Sequence, residues 1–387
     1  MVREVAPNLS YHYWGLGIRG LELEEEASPL VLVRGSEFNH EREISMEDDE
    51  GHMGTATTRM SSYRTTASAT PSFTDKCRYN EGWEDMWLLL LGSDDGQGSH
   101  DIRKETVTTG VYKYTFKVNV DNPQDPYFAT LYNGFAKTED DAYKYEDALL
   151  SEFEVSGSNE DAPTYTSTFA TNYPKVNQTN PARVFPDKTS FPKSADVRIY
   201  IAPQGDYASI QDISQYEYPC YLEWSFSVNN NIESVPCSGD AFGESTKVLG
   251  NREGEISITV PWTNATKHLE KEFETGSVDG TTVTTENDLR TVWIVMTHGT
   301  IGETESKYQT IIKIPQIVMT SVFSEQSGSD SKQIELQGNI EESGSKSFIE
   351  TEIITDLEDL HIDDTSGDSD SLYSSSSSEQ GSEQGSG

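Results

Sequence analysis

The chain has 387 residues with 66 acidic and 28 basic side chains, a formal net charge of −38 and 34% hydrophobic residues, and its mean hydropathy is −0.62. That length supplies one large or two ordinary domains with a real core, much of it solvated at the surface. The charge, with no cluster of Lys or Arg, disfavours nucleic-acid binding by phosphate neutralisation, and the longest apolar run, Met86 to Leu91, is too short to cross a bilayer as a helix.

The first residues, Met1 to Pro7, contain no apolar signal-like stretch, so synthesis and assembly in a cytoplasm is expected. Tyr11 to Leu23 alternates aromatic or aliphatic groups with glycines, and Pro29 to Val33 is a compact β-branched run, so two strands open the fold. From Ser36 to Asp75 that pattern disappears. Ser, Thr, Glu, Asp and Met dominate with scattered aromatics, which predicts a long loop, disordered or ordered by a partner.

Asn80 to Gly92 is the most distinctive stretch. Trp83, Met86, Trp87 and Leu90 fall at i, i+3, i+4 and i+7, and Leu88, Leu89 and Leu91 widen that face, which predicts one short buried helix plugging the side or end of a sheet system. Asn80 is the expected N-cap, Glu81, Glu84 and Asp85 complement the helix dipole, and Gly92 is the expected stop. Nearly everything else reads as strand or loop.

Tyr112 to Val120 alternates apolar and polar residues as a half-buried strand, with Tyr127 to Phe135 as its expected partner. Tyr143 to Val155 and Thr164 to Tyr173 bracket a turn at 157–161 and predict a hairpin. Further strands are expected at Val197 to Ile201, Tyr221 to Val228, Gly254 to Trp262, Val292 to Met296, Ile311 to Phe323 and Ile334 to Ile340. The fold class is therefore mainly β, a single sandwich-like domain over residues 1–355. From Asp356 the composition shifts to Asp, Glu, Ser and Gly, so 356–387 reads as an acidic low-complexity tail.

Chemistry-bearing patterns are sparse. The seven histidines have no metal-ligand spacing, acidic groups such as Asp48-Asp49-Glu50 lack the calcium-loop pattern, and Walker, dinucleotide and nucleophile-elbow motifs are missing from the sequence, so no catalytic, cofactor or metal site is expected and the chain is not read as an enzyme. Cys220 and Cys237 could pair across a hairpin; the other reading is that Cys77, Cys220 and Cys237 are buried free thiols.

The order of these elements resembles the major tail tube proteins of long-tailed, siphovirus-like phages and related tailed viruses. It rests on a long polar loop before one apolar helix ending at Gly92, the aromatic strand Tyr112 to Val120, the Lys144-Tyr145-Glu146-Asp147-Ala148 approach, Leu222 running into Asn229-Asn230-Asn231, the Ile314-Pro315 step and the closing strand Glu335 to Ile340. It covers residues 8 to 345; the segment Asp206 to Pro219 and the acidic tail depart from it. The resemblance implies a β-sandwich whose sheets join those of five neighbours into a hexameric ring around a lumen β-barrel, rings stacking into a virion tail tube that conducts genomic DNA without binding it specifically. Closure of the barrel would remove sheet edges. Implied partners are further copies of the chain and other tail proteins (tape measure, terminator and distal tail), with no membrane and no cofactor. The 36–75 segment would reach the adjacent ring through Phe38, Ile44, Met46, Met53, Met60, Tyr63 and Phe73, while Trp83, Met86, Trp87, Leu90 and Leu91 would pack the helix on the outside of the barrel. Two alternatives stay open: an all-β surface or carbohydrate-binding module using Tyr11, Tyr13 and Trp14, and another tail component such as a baseplate or terminator protein. Such an acidic chain would self-repel at low ionic strength yet be tolerated near 1 M salt, where the Debye length is about 3 Å, so a salt-loving host is a further expectation.

Overall fold

A computed structural model describes residues 10–17, 31–33, 37–50, 59–92, 103–117, 127–135, 142–178, 190–218, 220–236, 245–248, 250–264, 266–276, 281–285, 287–325, 332–342, 347–360 and 362–363. In chain order the elements are β1 (Ser10–Gly17), β2 (Val31–Val33), β3 (Glu37–Glu50), β4 (Arg59–Lys76), α1 (Trp83–Leu91), β5 (Lys104–Thr108), β6 (Val111–Lys117), β7 (Phe128–Phe135), β8 (Ala142–Ser158), β9 (Thr164–Ala170) and β10 (Lys175–Gln178). They continue with β11 (Val197–Pro203), α2 (Ile210–Ile213), β12 (Glu217–Tyr218), β13 (Glu223–Asn229), β14 (Glu233–Pro236), β15 (Ser245–Val248), β16 (Glu253–Pro261), α3 (Lys267–Thr275), β17 (Leu289–Thr300), β18 (Lys307–Glu325), β19 (Gln333–Ile340), β20 (Glu350–Thr355) and β21 (Ile362–Asp363). The fold is mainly β.

Two long strands organise it. β8 pairs with β7 and β10 through its first half and with β9 and β13 through its second; β18 pairs with β17 along one side and with β20 and then β19 along the other. One layer therefore runs β3-β4-β9-β8-β13-β16-β19 and the other β12-β11-β17-β18-β20-β6-β5, with β18 continuing from the second into the first. Inward side chains of both layers, alternating along each strand, meet in one core cluster that includes Phe153, Phe226, Ile258, Ile294, Ile312 and Ile353. β1, β2, β7 and β21 extend the β8 end, and β14 and β15 form a separate hairpin.

α1 sits inside this core, and all nine of its residues are buried. The Trp83 ring lies 6.1 Å from Phe153 and 5.4 Å from Tyr165 on one layer, while its Nε1 donates to Thr310 Oγ1 on the other at 3.1 Å. Trp87 packs edge-on to Phe153 at 5.2 Å and beside Phe226 at 6.0 Å; Ser167 Oγ contacts Met86 sulfur at 3.1 Å. Burial of Trp83, Met86, Trp87, Leu90 and Leu91 agrees with the sequence reading, but the helix is enclosed by strands rather than laid on an outer surface. Its N-cap is Gly82, not Asn80. Asn80 takes φ +64°, and its backbone N–H donates to both Glu84 carboxylate oxygens at 3.1 Å, which turns the entry one residue pair later.

Several further expectations are corrected. The 36–75 stretch is not structureless: β3 and β4 form a long antiparallel hairpin, from Glu37↔Thr74 to Glu50↔Arg59. Thr and Ser fit a pleated ladder without being apolar, so a hydrophobic pattern misses them. β6 pairs with β5 and β20, and β7 with β1 and β8, so among the described residues the expected pairing of the Tyr112 strand with Tyr127–Phe135 does not occur. α1 is not the sole helix: α3 packs against β18 and buries Leu269 and Glu272. The chain past Asp356 also enters the fold, since Leu360 is buried and β21 pairs with β1. Cys77 is a buried free thiol, whereas Cys220 is free and exposed; Cys237 lies outside the described residues.

Candidate functional site

The two layers present very different outer faces. On the β11-β17-β18 layer, Tyr200, Ala202, Trp293, Val295 and Ile311 form a second apolar cluster. It is covered by the segment through α2, with Ile213 buried against it and Tyr207, Ile210 and Tyr216 packed at its margin. Beside it Lys313 bonds Glu350 at 2.8 Å and Glu352 at 2.6 Å, lies 5.1 Å from the Trp293 ring centre, and shares Glu352 with Lys113 at 3.1 Å. Burial pushes the Glu352 carboxyl up, but Lys313 and then Lys113 more than reverse this and hold it below its ordinary value. This face is capped and neutralised.

The outer face of β4-β9-β8-β13-β16-β19 is bare and polar. Cross-strand register lines up the outward positions in rows. One row runs Lys76, Thr164, Ser156, Ser225, Ser257 and Gln337; the next runs Thr74, Thr166, Glu154, Ser227, Glu255 and Asn339; a third runs Ser72, Thr168, Glu152, Asn229 and Glu253. A fourth, at the strand ends, is Ser158, Glu223, Thr259 and Glu335. Six strands at about 4.8 Å spacing make a face about 24 Å across. Among these positions no side chain is aromatic and Lys76 is the sole cation. No two carboxylates are directly opposed: Ser227 separates Glu154 from Glu255, Asn229 separates Glu152 from Glu253, and Thr259 separates Glu223 from Glu335. That spacing avoids the cost of like charges in adjacent cross-strand pairs. At the β8–β9 turn the face dips into an open trough of about 1070 Å³ lined by Ser156, Asn159, Asp161, Glu223, Ser225 and Glu335 among others.

The β3–β4 hairpin leaves the edge of this same layer. β4 joins β9 from Ser72 to Lys76, with an isolated bridge at Ala69. Beyond that, from Glu43↔Ser68 to Glu50↔Arg59, the two strands pair only with each other among the described residues. Seven residue steps give an arm about 24 Å long. A two-stranded ribbon is marginal by itself in water, so an arm of this length needs a surface to lie on.

The residues expected at an oligomer interface divide along the hairpin. Phe73 is in the core, 3% exposed, stacked on Phe169 at 5.8 Å and edge-on to Tyr165 at 6.2 Å, so it is not an interface residue. Phe38, opposite it in register, packs partly buried against the same core. Ile44, Met46, Met60 and Tyr63 fall on the arm, where the backbone course alone is described, and Met53 lies outside the described residues. Tyr11, Tyr13 and Trp14 are on β1, which pairs with β2, β7 and β21. The polar rows escaped the sequence reading. Their signal was present as the Ser and Glu positions alternating with apolar residues on β13 and β16, but which carboxylate stands beside which hydroxyl depends on register between strands up to about 180 residues apart.

No protein-family model matches the chain, and no curated protein matches it. Among solved structures it is similar to one described as MrkH of K. pneumonia in its apo state, with 10% sequence identity over 61% of this chain and 71% of that one and a TM-score of 0.13. At that score nothing of shape or activity carries across.

Proposed function

We propose that this chain is a structural virion protein that assembles into hexameric rings stacked as a tail tube, with the bare polar face of β4-β9-β8-β13-β16-β19 forming the lumen wall and the β3–β4 arm bridging to the adjacent ring. The observation that carries the reading is that face: a broad sheet surface whose carboxylates are never directly opposed across paired strands, with hydroxyl and amide groups between them along each row, one lysine, and no aromatic or aliphatic anchor along its four rows. A wall of this kind repels phosphate and offers a passing duplex no place to adhere. The arm supports the stacking half of the reading, because it extends outward from the edge strand of the same layer. In this reading genomic DNA passes without specific binding, other tail proteins cap and measure the tube, and the acidity suits a salt-rich host. The lack of aromatics along the polar face weighs against sugar stacking there.

The test is electron microscopy of the purified chain at low and at about 1 M salt, alongside a variant in which residues 43–68 are replaced by an Asn-Gly turn. Wild type forms stacked rings or hollow tubes that loosen at low salt, and the variant forms rings that do not stack. Monomers under both salt conditions would overturn the self-assembly reading.

A further inference from the structure

The entry to α1 buries far more acid than base. Asp75, Glu81, Glu84 and Asp85 are each at most 3% exposed. The cation set among them is Arg78, whose Nε is 3.3 Å from Asp75 and 3.7 Å from Glu81; Lys76 lies at the margin, its backbone N–H bonded to Asp75. Four phenols wall the cluster: Tyr79, Tyr114 on β6, Tyr165 on β9 and Tyr308 on β18. Cys77 is buried beside Asp75, and Asp196, Asp356 and Asp359 add further negative charge from outside. Asp75 Oδ2 and the Tyr165 hydroxyl are buried without hydrogen-bond partners. Burial pushes the Asp75 and Glu84 carboxyls above their ordinary values, and a buried carboxyl relieves the cost of its charge by keeping its proton.

The segment after β20 is tied to Asn80 at the entry to α1. Asn80 Nδ2 donates to Asp356 Oδ1 at 2.7 Å and Thr355 Oγ1 donates to Asn80 Oδ1 at 2.8 Å. The Tyr308 hydroxyl also donates to Asp356, at 2.9 Å. The Tyr114 hydroxyl donates to the carbonyls of Leu357 and Glu358 at 3.1 and 2.6 Å, and Lys104 pairs with Asp359 at 2.9 Å. Asn80 thus joins both parts: its backbone holds Glu84 and its side chain holds residues 355–356, from a left-handed conformation.

We propose that residues 355–360 are a proton-gated strap, closed while a carboxyl of the α1 entry keeps its proton and lifted when that carboxyl ionises and draws water to the helix N-terminus. Glu84 is the gating group. Burial is the largest cause and, with the neighbouring charge of Asp85, outweighs the opposing hydrogen bonds from the Asn80 N–H and from Thr355, pushing it up to about 7 from 4.5. Its folded value is raised, so closure is favoured at and below about pH 4.5, weakens as pH rises through the interval to about 7, and changes little beyond. One proton released on opening shifts the equilibrium tenfold per pH unit, about 300-fold across that interval. The strap leads into β21 and its parallel pairing with β1, so its release unties the chain leading to the acidic C-terminal stretch. The inference is independent of the assembly reading.

Hydrogen exchange of the full-length chain tests it, comparing protection factors, corrected for intrinsic pH dependence, in a peptide spanning 350–363 with those in β16. Strap protection is expected to fall about fortyfold relative to β16 between about pH 5 and pH 7, and Glu84→Gln to abolish the fall. Equal behaviour of strap and β16 in wild type, or an unchanged fall in E84Q, would overturn the proposal. If E84Q does not fold, Tyr308→Phe removes a strap bond and leaves the carboxyls: reduced protection with the wild-type pH slope supports the gate, and loss of the slope refutes it.

Discussion

Truncating Trp83 to alanine separates a helix built into the core from one laid on a surface. The side chain is fully buried, its ring contacts Trp87, Phe153 and Tyr165 at centroid distances of 5.5, 6.1 and 5.4 Å, and its indole N–H bonds Thr310. Large-to-small changes of a buried Trp cost about 3–5 kcal/mol through lost transfer energy and the cavity left between two stiff layers. The lost indole bond adds about 1 kcal/mol, partly relieved because Thr310 still donates to the Tyr79 hydroxyl at 3.1 Å. We therefore expect Trp83→Ala to lose about 4–5 kcal/mol and Trp83→Phe, which keeps most of the packing, about 1–2 kcal/mol. The control is Trp262→Ala: that ring is 38% exposed and lies under the Lys332 ammonium at 4.7 Å, a contact worth about 0.5–1 kcal/mol. Urea unfolding, followed by a probe insensitive to the lost indole, gives each change as a shift in midpoint at constant slope. Equal losses for Trp83→Ala and Trp262→Ala would refute a core position for α1. The Trp83/Trp87 double alanine variant should be less destabilised than the sum of the singles, since the two rings share one cavity.

Arg290→Met should cost about 3–5 kcal/mol in the same assay, because Arg290 bridges Asp288 at 2.7 Å and Glu272 at 2.6 Å inside the fold and its loss leaves two carboxylates buried without it. Gly338→Ala should cost about 1–3 kcal/mol by overpacking, since a Cβ there would stand 2.5 Å from Ile317 Cγ2 and 2.9 Å from the Val318 carbonyl, and the latter is backbone. On the polar face, Glu154→Lys with Glu255→Lys should convert a chain that does not retard duplex DNA at low salt into one that does, with affinity falling steeply as salt is added; gel retardation by the wild type would undo the wall argument. Thermal midpoints measured against pH should rise as pH falls from about 7 toward 4.5, because Glu84 is raised in the fold, and then fall at more acid pH as Glu352, held low by Lys313 and Lys113, takes up its proton.

The strands that alternate apolar and polar side chains were legible without coordinates, and so was the apolar content of α1: β9, β13, β16 and β19 each bury one face in the way their sequences state. What was hidden has common physical causes. β3 and β4 are held by a ladder of Ser, Thr and charged residues whose pairing energy is backbone hydrogen bonding, which leaves no hydrophobic period to read. α3, Lys-His-Leu-Glu-Lys-Glu-Phe-Glu-Thr, buries chiefly Leu269 and Glu272, too narrow a stripe to stand out from an acidic loop. Glu84 and Asp85 read as first-turn acids that complement the helix dipole; both are buried, and Asn80 beside them is tied to Thr355 and Asp356, some 275 positions away in sequence. No local window contains that contact.

The candidate wall shows the same division. Composition states how much negative charge the chain carries, but not whether it is piled up or spread out. Had β13 carried glutamate at 227 or 229, carboxylates would stand in three consecutive strands of a row, and the face would be destabilised by direct like-charge pairs. Ser227 and Asn229 instead hold Glu154 apart from Glu255 and Glu152 apart from Glu253. Two strands of pairing put those charges about 9–10 Å apart, close to the screening length at physiological salt. The repulsion within the sheet is thereby weakened, while the whole face keeps one sign toward anything moving past it. Interspersed lysines would cancel that one-signed field, and from β9 to β19 the outward rows contain none.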